Sequence, residues 1–290
     1  MVIPAEMPEF FIPIYGKYYE PLPDTEAYLA RIGLAGQTID LNRAGLDKLI
    51  WANLCHVPFE NIDLFDYDKP VDFGIADLFQ KIVVQHRGGY CFELNSLFMA
   101  LLEAVGFEVY PIGVRILMAG EGFIPAIAHR ASIVLLDGKR YFADVGFGNT
   151  SAAGGSICVD DDQPQEVHGQ VYSVEDRPYH HKIILRHKAE GPSPEFLFLP
   201  DPFPIVDFVA YNNQMSTTGF RAKRIANLRT EEGSLSIDGD ILRRTIGSER
   251  IETPLADAAA AWQALTEQYG MQLTEPLKEL AADPDARFPR

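Results

Sequence analysis

The chain has 290 residues, enough to bury a full hydrophobic core, and its 47% apolar and 11% aromatic content is globular usage rather than that of a disordered chain. A formal net charge of −16 argues against nucleic acid and anionic membrane as main partners, because no global positive field exists to attract them. Three cysteines (Cys55, Cys91, Cys158) without a C-x-x-C spacing argue against a disulfide scaffold or structural zinc, and no apolar run reaches the ~18–20 residues that span a bilayer.

Residues 1–23 hold Phe10, Phe11, Tyr15, Tyr18 and Tyr19 among five prolines. Lacking a basic n-region, they fit neither a signal peptide nor a membrane anchor and read as an extended arm on the body; a soluble, cytoplasmic setting follows. Asp24 caps a short helix with Tyr28, Leu29 and Ile32, closed by Gly33. Asn42 caps a second, in which Leu46, Leu49, Ile50 and Leu54 recur at helical spacing until Pro58. Ile75, Leu78, Phe79 and Ile82 repeat that spacing before Gly88-Gly89. From Cys91 to Val105 apolar residues wrap most of the way round, which predicts a central, buried helix ending at Gly106.

The period then changes to two. Residues 108–117 read as a strand, with Pro111 and Gly113 marking an edge or a bend. A loop with Gly120, Gly122 and Pro125 precedes two strands, 129–136 and 140–145, flanking Asp137-Gly138, the preferred pair for a type I′ hairpin. Further strands are expected at 170–174, 181–186 and 196–199, with loops at 151–169 and 188–195. Asp238-Gly239 predicts a second hairpin joining 234–237 to 240–244. Thr253-Pro254 reads as a helix start, with Leu255, Ala258, Trp262, Leu265 and Tyr269 on one face and Gly270 at the end. Residues 283–290 are a polar tail.

The chemistry gathers at Cys91. A thiol at a helix N-terminus meets the positive end of the helix dipole and unpaired N–H groups, a setting that favours the nucleophilic thiolate. If Asp137-Gly138 is a two-residue loop, Leu136 faces Lys139 and Asp144 faces Ala131. His129 lies two residues from Ala131 on the same face, so His129 and Asp144 are diagonal neighbours about 7–8 Å apart at the backbone, within side-chain reach. Singly, Cys91 fits a packed core thiol, His129 a satisfied strand-end histidine and Asp144 a turn acid. Jointly they fit a Cys-His-Asp triad, in which the carboxylate fixes the imidazole tautomer and leaves its other nitrogen to face the thiol. The other histidines have no placed carboxylate, and His180-His181 reads as an exposed strand.

Pro58-Phe59-Glu60-Asn61, the block from Arg87-Gly88-Gly89-Tyr90-Cys91 to Phe92-Glu93-Leu94-Asn95, His129, and Asp144-Val145-Gly146-Phe147-Gly148 resemble the arylamine N-acetyltransferase family, most closely over residues 24–150. The resemblance implies an α+β fold with a cysteine-protease-like core. An N-terminal arm and helical bundle (1–105) would carry the cysteine, a β-barrel (106–208) the histidine and aspartate, and an α/β lid (209–290) would follow. It implies acetyl-CoA as donor, no metal, and transfer through a thioester on Cys91 to an arylamine, hydrazine or arylhydroxylamine. Phe59, Phe147 and Phe220 are candidate walls for the acceptor; Gly148 and Asn149 match the segment running beside the CoA pantetheine. Arg221, Lys223, Arg224 and Arg229, the densest basic run, face either CoA phosphates or water. The chain departs from the family pattern at Ala128, and in its first 23 residues and the segment from Asn212 to Phe220; the last two put acceptor choice and lid geometry outside the resemblance. The same fold also accommodates a macrolactam-forming amide synthase, a transglutaminase-like or amidohydrolase enzyme, and a triad fold kept as a binding module.

Overall fold

The computed structural model of the protein describes residues 11–117, 124–148, 152–217 and 219–280. Its helices are α1 (Ile12–Tyr15), α2 (Thr25–Arg31), α3 (Arg43–His56), α4 (Ile62–Phe65), α5 (Ile75–Leu78), α6 (Cys91–Val105), α7 (Phe208–Ser216) and α8 (Ala258–Glu267). Its strands are β1 (Phe59–Glu60), β2 (Glu108–Ile116), β3 (His129–Leu136), β4 (Lys139–Ala143), β5 (Ile157–Cys158), β6 (Gln165–Val167), β7 (Gln170–Asp176), β8 (Lys182–Lys188), β9 (Gly191–Phe198), β10 (Ile225–Thr230), β11 (Gly233–Asp238), β12 (Ile241–Ile246) and β13 (Glu249–Pro254).

The helical caps behave as their side chains require. Asp24 accepts the Ala27 N–H at 2.9 Å and Asn42 accepts the Gly45 N–H at 3.0 Å, each satisfying an orphan donor of a first turn. α6 is buried from Cys91 through Leu102 and ends where Gly106 turns left-handed at φ 116°. Its Phe92, Leu97, Phe98, Leu101 and Leu102 are buried in the same core as Leu46, Leu49 and Ile50 of α3. At roughly 1.5–3 kcal/mol per buried side chain, this helix is among the best anchored in the molecule. α5 passes into a single π-helical stretch, Phe79–Val84, rather than ending. The arm expected to be extended is helical over Ile12–Tyr15 and Gly16–Tyr18. Pro13 stands in a first turn, where a missing N–H costs nothing, and Tyr18 stacks on Phe73.

Eight strands form one sheet in the order β5-β4-β3-β2-β9-β8-β7-β6. It curls until its edge strands approach, and the Gln165 side chain joins them, accepting from the Cys158 N–H (2.8 Å) and donating to the Cys158 carbonyl (2.7 Å). Ile112, Val114, Phe142, Ile184, Phe196 and Phe198 are buried within this nearly closed barrel. β2 is central, not an edge. Pro111 is accommodated because β9 pairs only from Val114 onward. Its carbonyl, pointing away from β3, accepts the Phe203 N–H, so the missing donor faces a side without a partner strand. The expected loop 151–169 contains β5 and β6, and β9 begins at Gly191 despite Pro192 and Pro194, in a pairing with β8 whose register shifts at Ile184/Leu185. His180 lies in a 3₁₀ turn at Pro178–His180, not on a strand.

A second sheet, β1-β10-β11-β12-β13, packs against α8. Its edge strand β1 is supplied by the Pro-Phe-Glu-Asn segment. A two-residue strand has no period, so nothing in the sequence pattern announces it. Thr253 and Pro254 end strand β13 instead of starting a helix, and α8 starts later, where the Asp257 carboxylate accepts the Ala260 N–H. Proline is tolerated there because β13 is an edge. Gly120, Gly122 and the tail 283–290 lie outside the described residues.

Candidate active site

Cys91 is the first residue of α6, and the turn before it is held by several partners. The Glu93 carboxylate accepts the Tyr90 N–H at 3.0 Å, and the buried Tyr90 hydroxyl donates to Asn212 of α7. Burial also raises the Tyr90 phenol well above its ordinary range, so it stays a donor.

The β3–β4 hairpin forms with Leu136 opposite Lys139 and the ladder running to Ser132 opposite Ala143. Asp144 follows directly, and its Oδ2 lies 2.7 Å from Nε2 of His129. Both are buried. Asp144 Oδ1 accepts from Asn95 Nδ2 and from the Gly146 N–H, each at 2.8 Å, so both oxygens are engaged and the carboxylate cannot swing. The Cys91 side chain stands beside the imidazole. Since Nε2 is taken by Asp144, Nδ1 is the nitrogen left for the thiol. Burial alone would lower the proton affinity of His129. The Asp144 carboxylate and Cys91 more than offset this, moving the imidazole up to about 10. The ring is therefore held as an imidazolium near neutral pH, the form that pairs with a thiolate.

Asn95 is the contact that sequence reasoning did not assign. It lies one helical turn after Cys91 and so on the same face. Its Nδ2 donates to Asp144 and to the Arg130 carbonyl (2.5 Å), and its Oδ1 accepts the Val145 N–H (3.0 Å). One amide thus fastens the helix of the cysteine to both strands of the hairpin. The i+4 spacing was the available signal. Arg130, next to His129, turns to the other face: it donates to Ser96 of α6 and stacks against Phe208 (5.0 Å) and Phe73 (5.9 Å). Gly146 admits no side chain, because a Cβ there would stand 2.8 Å from the Cys91 Cα and 2.7 Å from Asn95 Nδ2.

The expected acceptor walls fall in two places. Phe147 stands edge-on to His129 at 6.1 Å and to Phe196 at 4.6 Å. Phe59 and Phe220 are 5.9 Å apart, and Phe220 also meets Tyr90 at 5.3 Å, so these rings lie on the Tyr90 side of the cysteine. Asn61 clamps the Phe220 segment by donating to the carbonyls of Phe220 and Lys223 (both 2.7 Å) and accepting the Ile225 N–H. Gly148 backs onto Phe59, and its carbonyl accepts from Asn227 at 2.7 Å. A narrow cleft there is lined by Phe59, Val145, Gly148, Asn227 and Arg229. Asn149 lies outside the described residues. The basic run is paired rather than free, with Arg221 and Lys223 partly exposed to solvent. Arg224 is buried on Asp66, Arg221 pairs with Asp68, Lys223 with Asp238, and Arg229 packs over Trp51. Among the described residues no group of three or more His, Cys, Asp or Glu could hold a metal ion, and no helix is long and apolar enough to cross a membrane.

A family model for N-acetyltransferases matches residues 43–278. The chain belongs to the arylamine N-acetyltransferase family. It is 28% identical over 260 residues to an arylamine N-acetyltransferase of Mycolicibacterium smegmatis, covering 86% of this chain and 92% of the relative. It superposes on the solved arylamine N-acetyltransferase of Mycobacterium marinum in complex with CoA with a TM-score of 0.78 at 25% identity, covering 86% and 93% of the two chains. A shorter match, 35% identical over 127 residues, covers 43% of this chain and 48% of the proansamycin X synthase of Amycolatopsis mediterranei. The α+β architecture with a barrel at its centre is that of the family, and the protein is an acyltransferase.

Proposed function

We propose that this enzyme carries the acetyl group of acetyl-CoA to arylamines, hydrazines or arylhydroxylamines in two steps, through a thioester on Cys91. The observation that supports this most directly is the buried His129–Asp144 hydrogen bond beside a cysteine at a helix N-terminus. In the first step the Cys91 thiolate attacks the acetyl carbonyl, the carbon–sulfur bond to CoA breaks, and the leaving thiolate takes the proton of the His129 imidazolium. In the second the amine attacks the thioester, His129 removes its proton, and the Cys91 thiolate leaves. Asp144 and Asn95 hold the ring through both. The backbone N–H groups of Cys91 and Phe92, at the start of α6, receive the oxyanion.

Covalent transfer lets donor and acceptor occupy one cleft in turn, which suits a site framed by Phe59, Phe147, Phe220 and Gly148. The division into segments 1–105, 106–208 and 209–290 belongs to the same reading, with β1 as the first segment's contribution to the sheet of the third. Cys55, Cys91 and Cys158 are all free thiols, which supports a reducing, cytoplasmic setting.

The test is intact mass after mixing with acetyl-CoA. An acetyl adduct on the wild type, absent from Cys91→Ser and discharged by an aniline-type amine, is the expected result. Failure to form an adduct or to release CoA with any arylamine would move the assignment to an amide synthase.

A further inference from the structure

Behind the N-terminus of α6, on the side away from His129, five charged side chains converge. Lys81, from the π-helical stretch, reaches Glu93 Oε1 at 2.7 Å and Asp63 Oδ2 at 2.6 Å. Arg87 reaches Glu60 Oε1 at 2.8 Å and Asp63 Oδ1 at 3.0 Å. Glu93 and Glu60 are wholly buried, and Lys81 and Arg87 nearly so. Glu93 is the member that touches the nucleophile's turn. One of its oxygens takes the Lys81 ammonium and the other takes the Tyr90 N–H, immediately before Cys91. The fit leaves no slack, since a Cβ at Gly89 would lie 2.8 Å from both Cβ and Oε2 of Glu93.

We propose that Lys81 and Glu93 are a positioning pair for the nucleophile: the Lys81 ammonium keeps Glu93 an ionised acceptor for the Tyr90 N–H, and that contact sets where α6 begins and hence where Cys91 points. Neither residue touches substrate. The inference rests on Cys91 being the nucleophile. Two features of the cluster give it leverage. A buried carboxylate stripped of its cation takes up a proton or leaves its seat, so the contact with Tyr90 depends on Lys81. The cluster also holds three carboxylates and two cations, facing Glu93 from β1 (Glu60), α4 (Asp63), the π-helical stretch (Lys81) and the Arg87 turn. Burial, with Glu60 and Asp63 opposing Lys81, moves the Glu93 carboxyl up to about 7. Ionisation of Glu93 thus falls in the working range of pH.

The experiment is the pre-steady-state rate of Cys91 acetylation by acetyl-CoA, followed by mass against pH, with melting temperatures recorded in parallel. Lys81→Met should slow acetylation by about ten- to a hundredfold, since sub-ångström misplacement of reacting groups is costly, with the KM for the acceptor unchanged. Lys81→Arg should restore most of the rate. The double variant Lys81→Met/Glu93→Gln should acetylate no faster than Lys81→Met alone, because a neutral amide oxygen accepts from the Tyr90 N–H more weakly than a carboxylate does. The wild-type rate should rise through an ionisation near neutral pH that is lost with Glu93→Gln, whose fold is checked by its melting temperature. A purely structural role would lower melting temperatures yet leave folded variants with the wild-type rate and pH profile, and that result overturns the proposal. It is distinguishable from failure of the nucleophile assignment, in which the wild type itself takes no acetyl group.

Discussion

Two hairpins in this molecule begin from the same dipeptide and end differently. At Asp137-Gly138 both residues are left-handed (φ 51° and 75°) and form the loop, with Leu136 opposite Lys139. At Asp238-Gly239 the loop is instead Gly239-Asp240: Asp238 pairs with Ile241, and only Gly239 (φ 66°) is left-handed. The first matches a type I′ turn and the second a type II′. What separates them is burial. The expected second register would set Asp240 against the buried Ile237. The observed one sets Leu242 there and leaves Asp240 in the loop. Gly239 also donates to the Arg224 carbonyl at 2.8 Å, which ties the turn to its neighbour. A turn dipeptide therefore proposes a register, and the face to be buried accepts or moves it.

The sharpest way to break this contrast is to delete one glycine from each hairpin. Without Gly138, a two-residue loop must slip β4 by one position, which turns Asp144 to the face opposite His129. If Asp144 belongs to the proposed triad, acetyl adduct formation should fall by about 10³–10⁴-fold. Deleting Gly239 should lower the melting temperature and leave the adduct, because that hairpin carries no member of the proposed triad. Asp144→Asn keeps the register and removes the charge, with a loss of about 10³–10⁴-fold in kcat/KM. It also changes the pH dependence of stability. The His129 imidazole is raised from 6.5 to about 10 in the fold. The stabilisation it receives is thus complete below about 6.5 and is lost as pH rises toward about 10. The gap in melting temperature between wild type and Asp144→Asn should therefore narrow over that window. Gly138→Ala and Gly239→Ala each put a Cβ on a left-handed residue and should cost about 1–2 kcal/mol in urea denaturation. The smallest effects should come from the aspartates. Asp137→Asn is expected within about 0.5 kcal/mol, since asparagine tolerates the same conformation. Asp238→Asn loses partly exposed pairs with Lys223 and Arg243, worth about 0.2–1 kcal/mol each.

Where elements are long and periodic the sequence was legible. α3 and α6 start and stop where Asn42, Pro58 and Gly106 require, because a cap side chain or a left-handed glycine acts on its own few residues. The short pieces were not. β1, β5 and β6 have two or three residues, too few for a period, and exist because a neighbour supplies partners. The same division runs through the site. The pairing of His129 with Asp144 followed from a local turn, whereas Asn95, Lys81 and Glu93 gained their roles only when α6 met the hairpin and the α5 extension.

By itself, then, the sequence determined the helix that starts at Cys91, the hairpin that brings His129 to Asp144, and the family resemblance that set thiol and imidazole together. These are effects of capping, turn geometry and side-chain alternation, each acting over a few residues. Tertiary structure alone decided that Asn95 fastens the three together, that Arg221, Lys223 and Arg224 pair with Asp68, Asp238 and Asp66, and that a buried ionic cluster backs the start of α6. Those depend on which faces must leave water together, and that is a property of the packed molecule rather than of any one segment.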